Sequence, residues 1–91
     1  MSTQELVARV KMKPKLVQVL KQLKGPSTTK EIADRLKWDW YWVTFSLKEL
    51  SSAGLVKLIG ETLYQLTDAG QKVLERIEAM ERVVELKEAG S

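Results

Sequence analysis

The chain has 91 residues, enough for one small domain. Fifteen Lys and Arg stand against twelve Asp and Glu, a net of +3, and 44% apolar with 30% charged residues is a folding composition rather than a disordered one. Cysteine and histidine are both absent, which excludes disulfides, thiolate and imidazole metal sites, and Cys or His catalysis, so no enzyme, metal or cofactor is expected.

The N-terminus MSTQELVARVK has no long apolar run and no cleavage pattern, and no stretch approaches the roughly 20 apolar residues of a membrane span. A cytoplasmic protein with no membrane association is expected. The lack of Asn alongside Cys, two thermolabile types, fits a thermophilic source.

In chain order, Thr3 is the expected N-cap of a first helix with Leu6, Val7 and Val10 on one side. Pro14 interrupts it and opens a second helix to Lys24, with the stripe Leu16, Val19, Leu20 and Leu23, closed by Gly25-Pro26. Thr28-x-x-Glu31 is a capping box for a helix to Leu36 with Ile32, Ala33 and Leu36 inward. After the tight Lys37-Trp38 connection, Asp39 caps a helix to about Ala53, and Gly54 stops it. Residues 55–59 and 62–66 read as two strands joined by a two-residue Gly60-Glu61 turn. Thr67 caps a last helix of about 20 residues.

The expected fold is mainly α with a small two-stranded β-hairpin, in the element order of a winged helix-turn-helix. The expected organisation is an N-terminal helical arm at 1–13, the winged module at 14–66 and a C-terminal dimerisation helix at 67–91. The residues carry the same pattern. The segment TTKEIADRLKWDWYWVTFSLKELSSAGLVKLIGETLYQLTDAGQKVL resembles the helix-turn-helix and wing of small bacterial and archaeal winged-helix transcriptional regulators, MarR-like and ArsR-like. The resemblance covers roughly residues 14–78 and is most specific at EIADRL, LKELSSAGLV and YQLTDAGQKVL. It implies a DNA-binding protein, a homodimeric regulator that reads the major groove with helix 39–53.

Two positions depart from that pattern. Lys37 stands where such turns favour glycine, a left-handed position that costs a non-glycine residue about 1 kcal/mol. The recognition helix reads DWYWVTFSLKEL instead of a polar sequence. On a helical wheel Val43, Leu47 and Leu50 share the inward arc, and Tyr41, Phe45, Lys48 and Ser52 the opposite one. Thr44 and Trp42 flank the exposed arc, Trp40 borders the core arc, and Trp38 plugs the core from the turn. The aromatic residues have three readings: cover for neighbouring helices, contacts to thymine methyls and bases in a major groove, or a protein-binding face centred on Tyr41 and Phe45.

Charge divides the chain. Residues 1–37 carry nine basic and three acidic side chains, a net of +6, and residues 38–91 six and nine, a net of −3. The helix-turn-helix and wing are neutral: Lys30, Arg35, Lys37, Lys48 and Lys57 against five carboxylates. Phosphate contacts are therefore expected from Lys11, Lys13 and Lys15 upstream, read either as a basic arm or as a solvated helix face, joined by Thr28, Thr29 and Lys30 at a helix N-terminus and by Lys37, Lys48 and Lys57. Trp40, Tyr41, Thr44 and Phe45 complete the expected interface with double-stranded DNA. The alternative is a winged helix used for protein contact through the same aromatic face. Glu61 at the wing tip argues against minor-groove readout.

On the last helix Val73, Ile77, Met80 and Val84 recur at seam spacing, with a second stripe of Ala79, Val83 and Leu86 nearly opposite. One domain needs only one apolar face. Met80, Val83, Val84 and Leu86 are therefore expected to dimerise, the other possibility being that Val83 and Leu86 cover Leu6, Val7 and Val10 of the same chain.

Overall fold

The computed structural model describes residues 2–90, with side chains described from Ser2 to Leu86. Five helices and three short strands follow in the order α1 (Thr3–Lys11), α2 (Pro14–Lys21), β1 (Ser27–Thr28), α3 (Thr29–Leu36), α4 (Trp40–Ser52), β2 (Val56–Ile59), β3 (Leu63–Leu66) and α5 (Asp68–Gly90). The sheet is antiparallel in the order β1-β3-β2.

Helix ends are set by local chemistry. Ser2, not Thr3, caps α1: its Oγ accepts the Glu5 N–H at 3.2 Å and reaches the Glu5 carboxylate at 3.3 Å. Ser2 is preferred because it stands three residues before Glu5, the capping-box spacing. Helix α2 ends at Lys21, three residues early. Gln22 and Leu23 donate to the carbonyls of Val19 and Leu20, a tightened last turn, because the chain must become extended before Pro26. The Thr28–Glu31 capping box forms in both directions, at 2.9 and 3.1 Å. Lys37 closes α3 in the left-handed region at φ 58°, ψ 40°, the conformation that favours glycine, and Trp38 packs half-buried against the core.

The core is one cluster. Leu6, Val7 and Val10 of α1 join Leu16, Val19, Leu20 and Leu23, then Ile32 and Ala33, then Val43, Leu47 and Leu50, and finally Leu55, Val56, Leu66, Val73, Leu74 and Ile77. The first and last helices pack on each other and share this core with the segment between them.

The sheet corrects the expected two-stranded hairpin twice. Ser27 and Thr28 add a third strand, pairing with Tyr64 and Leu63. The wing turn has three residues, Gly60-Glu61-Thr62, because Ile59 pairs with Leu63. A two-residue turn would slip the register by one and separate Val56 from Leu66, which face each other and are both buried.

Candidate nucleic-acid interface

Helix α4 lies on the body through Val43, Leu47 and Leu50, all fully buried, so the opposite arc is fixed outward. Asp39 sets its start by accepting the Tyr41 N–H at 3.0 Å. Tyr41 is 55% exposed and Phe45 50%, as the wheel predicts. Trp40 departs from expectation. It is 63% exposed, not at the core border, because it is the first residue of α4 and helical side chains tilt toward the N-terminus, which carries its ring beyond the helix end. Thr44 is half-buried and Lys48 exposed.

The rings form a cluster instead of standing alone. Tyr41 meets Trp42 edge-on at 5.4 Å between centroids and stacks on Phe45 at 6.4 Å. Lys15 Nζ lies 3.9 Å from the Trp42 ring centroid, a cation–π contact from α2 to α4. Ser46, which sequence reasoning does not name, is buried beneath them. Its hydroxyl donates to the Trp42 carbonyl at 2.8 Å and so satisfies itself within the helix. The sequence signal for it is its place beside Leu47 and Leu50 on the inward arc.

The expected phosphate-contacting cations separate into groups. Lys13 and Lys15 stand beside α4, but Lys13 is engaged: its Nζ is 2.8 Å from Glu49. Lys11 faces the other way, lining hollows between α1 and α5 with Met80, Arg76 and Glu81. Lys21 and Lys24 bridge to Glu81 and Glu78 of α5 at 2.8 and 3.0 Å. Part of the +6 surplus upstream is thus matched against the acidic last helix. Arg35 is a structural clamp, donating to Ser27 Oγ at 2.6 Å and to the Gln22 carbonyl at 3.4 Å.

At the start of α3, Thr29 is half-buried and Lys30 exposed. The N–H groups of Thr28 and Glu31 are used within the capping box. Glu31 is held below the usual carboxylate range, first by the Thr28 backbone N–H, then by its hydroxyl, then by the Arg35 charge. Lys37 and Lys57 are exposed, on the turn and on β2.

Between the α1–α2 corner and α4 lies a mostly apolar groove of about 510 Å³, floored by Met12, Pro14, Leu16, Trp42 and Phe45, with Lys13 and Lys15 at its rim. Sequence reasoning misses this groove, since it joins segments thirty residues apart.

Helix α5 buries Val73, Leu74 and Ile77, and its apolar side chains beyond them become progressively exposed. Met80 is 40% exposed, and Val83, Val84 and Leu86 are more exposed still. Leu6, Val7 and Val10 are buried without them, so Val83 and Leu86 do not cover α1 of their own chain. Among the described residues no helix is long and apolar enough to cross a membrane, and no cluster of three or more His, Cys, Asp or Glu is placed to hold a metal.

No protein-family profile and no curated protein matches the sequence. Solved structures do match. TubR, bound to 24 bp of tubC from Bacillus thuringiensis serovar israelensis pBtoxis, superposes with a TM-score of 0.77 at 17% identity, over 88% of this chain and 96% of that one. A MarR family transcription regulator matches 98% of this chain and 66% of its own, with TM-score 0.74 and 18% identity. YusO from Bacillus subtilis matches with TM-score 0.77 and 22% identity, over 93% of this chain and 69% of that one. Together with the element order and the wing, these likenesses establish that the chain has the winged helix-turn-helix fold found in transcription regulators.

Proposed function

We propose that this chain is a homodimeric regulator that binds double-stranded DNA and reads the major groove with α4. The observation that carries the reading is TubR: a protein of the same fold, matched over nearly its whole length, is bound to duplex DNA. The outward arc of α4 supports it. Trp40, Tyr41, Thr44, Phe45 and Lys48 lie on the side of α4 away from Val43, Leu47 and Leu50, where rings would meet thymine methyls and hydroxyls base edges. Phosphate contact falls to Lys15, Lys48, Lys30, Lys37 and Lys57, with the Thr28 and Thr29 hydroxyls at the α3 N-terminus, and to Lys13 once it exchanges Glu49 for a phosphate. The dimer contact falls to Met80, Val83, Val84 and Leu86.

Titration of the chain against mixed-sequence duplex DNA at two salt concentrations tests this. Binding should weaken as salt rises. Changing Lys13, Lys15 and Lys48 together to Gln should lower the slope of log K on log salt by about one unit for each phosphate that is no longer neutralised, whereas Lys11→Gln should leave it unchanged. No binding at low salt and about 100 μM chain, the weak end of non-specific affinities, rejects the reading.

A further inference from the structure

The groove between the α1–α2 corner and α4 has an apolar floor that a phosphate backbone does not match. Met12 is 82% exposed at the end of α1, and across from it Trp42 and Phe45 are each about half exposed. A phosphate backbone offers nothing apolar to such a floor. An exposed methionine beside aromatic rings is instead the surface that adaptable protein-docking sites use. The rim is basic. Lys13 and Lys15 line it, and Arg9 and Lys48 line the hollow that continues from it past Phe45. The one carboxylate lining either hollow is Glu49, and Lys13 neutralises it.

We infer that this groove docks an amphipathic helical segment of a protein partner, apolar on the face it inserts and acidic along its flanks. One wall is α4 and the other is the α1–α2 corner with the first turn of α2, an apolar trough that suits a helix seated through anchors at i, i+3, i+4 and i+7. Charge complementarity fixes its flanks: an acidic group beside the anchors meets Lys15, held over Trp42, and Lys13, which can exchange Glu49 for the guest. Phe45, Lys13 and Lys15 belong both to this groove and to the proposed DNA face, whereas Met12 lines the groove alone and Tyr41 lies outside it, so Met12 is the residue that separates the two readings.

The test uses the full chain and a synthetic helical peptide of about 16 residues, with Leu at the four anchor positions and Glu and Ala elsewhere. A matched peptide carries Lys in place of Glu. Tryptophan emission follows binding, since Trp42 is in the groove wall. The acidic peptide should bind saturably, and the lysine peptide at least about tenfold more weakly, a difference of about 1.4 kcal/mol. Met12→Glu should weaken the acidic peptide by a similar factor while leaving the thermal melt unchanged, because Met12 is exposed. Equal binding of the two peptides, no binding at about 1 mM, the millimolar limit of useful affinity, or unaltered binding by Met12→Glu overturns the inference. Self-association that Met12→Glu abolishes, without peptide binding, also overturns it by making a second copy the occupant. No DNA enters the measurement, so its failure leaves the DNA reading standing.

Discussion

Gly70 shows how one residue's neighbours reverse a propensity rule. Replacing a helical glycine with alanine ordinarily stabilises by about 1 kcal/mol. Here a Cβ on Gly70 would fall on the carbonyl oxygen of Leu55 and stand 2.9 Å from its carbon. That same carbonyl accepts the Thr67 N–H at 3.0 Å, while the Thr67 hydroxyl donates to the Gly54 carbonyl and accepts the Gly70 N–H. The start of α5 is stitched to the end of α4 at a point where only glycine fits. Gly70→Ala should therefore lower stability by about 1–3 kcal/mol, as overpacking does, measured by urea denaturation. The aromatic residues of α4 give the contrasting case. Leu47 is fully buried, so Leu47→Ala should cost about 2–5 kcal/mol, whereas Phe45→Ala should cost less than about 1 kcal/mol and act on binding instead. A large drop in melting temperature in Phe45→Ala would make that ring part of the architecture.

The start of α3 is held by a carboxylate whose titration changes on folding. Glu31 closes the capping box with its carboxylate on the Thr28 N–H, and its pKa is lowered in the folded chain. The unfolded pKa is the higher of the two. The stabilisation is therefore fully present above the unfolded value and is lost as pH falls through the folded value. Melting temperatures taken from neutral pH down through the carboxylate range should fall more steeply for the wild type than for Glu31→Gln, and the two curves should converge in strong acid. Parallel curves would remove the carboxylate from the stability of α3. A phosphate brought to this same helix end would meet the Glu31 charge, which favours contact from the Lys30 and Lys37 side chains over a purely backbone anion site.

At the scale of the molecule, apolar side chains stay exposed among the described residues both at the groove beside α4 and along α5 at Met80, Val83, Val84 and Leu86. The second is where dimerisation is proposed. Val83→Lys with Leu86→Lys should leave the core untouched, since both side chains are more than half exposed, and should convert a dimer into a monomer in sedimentation equilibrium. A wild-type chain that sediments as a monomer at tens of micromolar, about where an association of 6–7 kcal/mol becomes visible, would reject dimerisation through α5. The ion pairs Lys21–Glu81 and Lys24–Glu78 hold α5 to α2 and to the segment that follows it, so the variants should separate the copies without detaching the helix from its own chain.

Sequence alone determined what depends on neighbours along the chain. The 3.6-residue stripes located all five helices, the Thr28-x-x-Glu31 spacing announced its capping box, and Gly54 and the strained Lys37 marked their turns. The outward arc of α4 was legible because Val43, Leu47 and Leu50 have only one way to face a core. Tertiary structure decided what depends on partners far away in sequence. Strand β1 is two residues with no pattern of their own and exists because β3 offers it an edge. The wing turn took three residues because burying Val56 opposite Leu66 fixes the register. The upstream lysines read as one basic run, yet α5 passes close enough to α2 and the segment after it to match Lys21 and Lys24 with carboxylates, and the α1–α2 bend sends Lys11 to one side and Lys13 and Lys15 to the other. Local periodicity fixes which face of a helix is apolar; only packing decides which charges find a partner and which apolar surface is left for one.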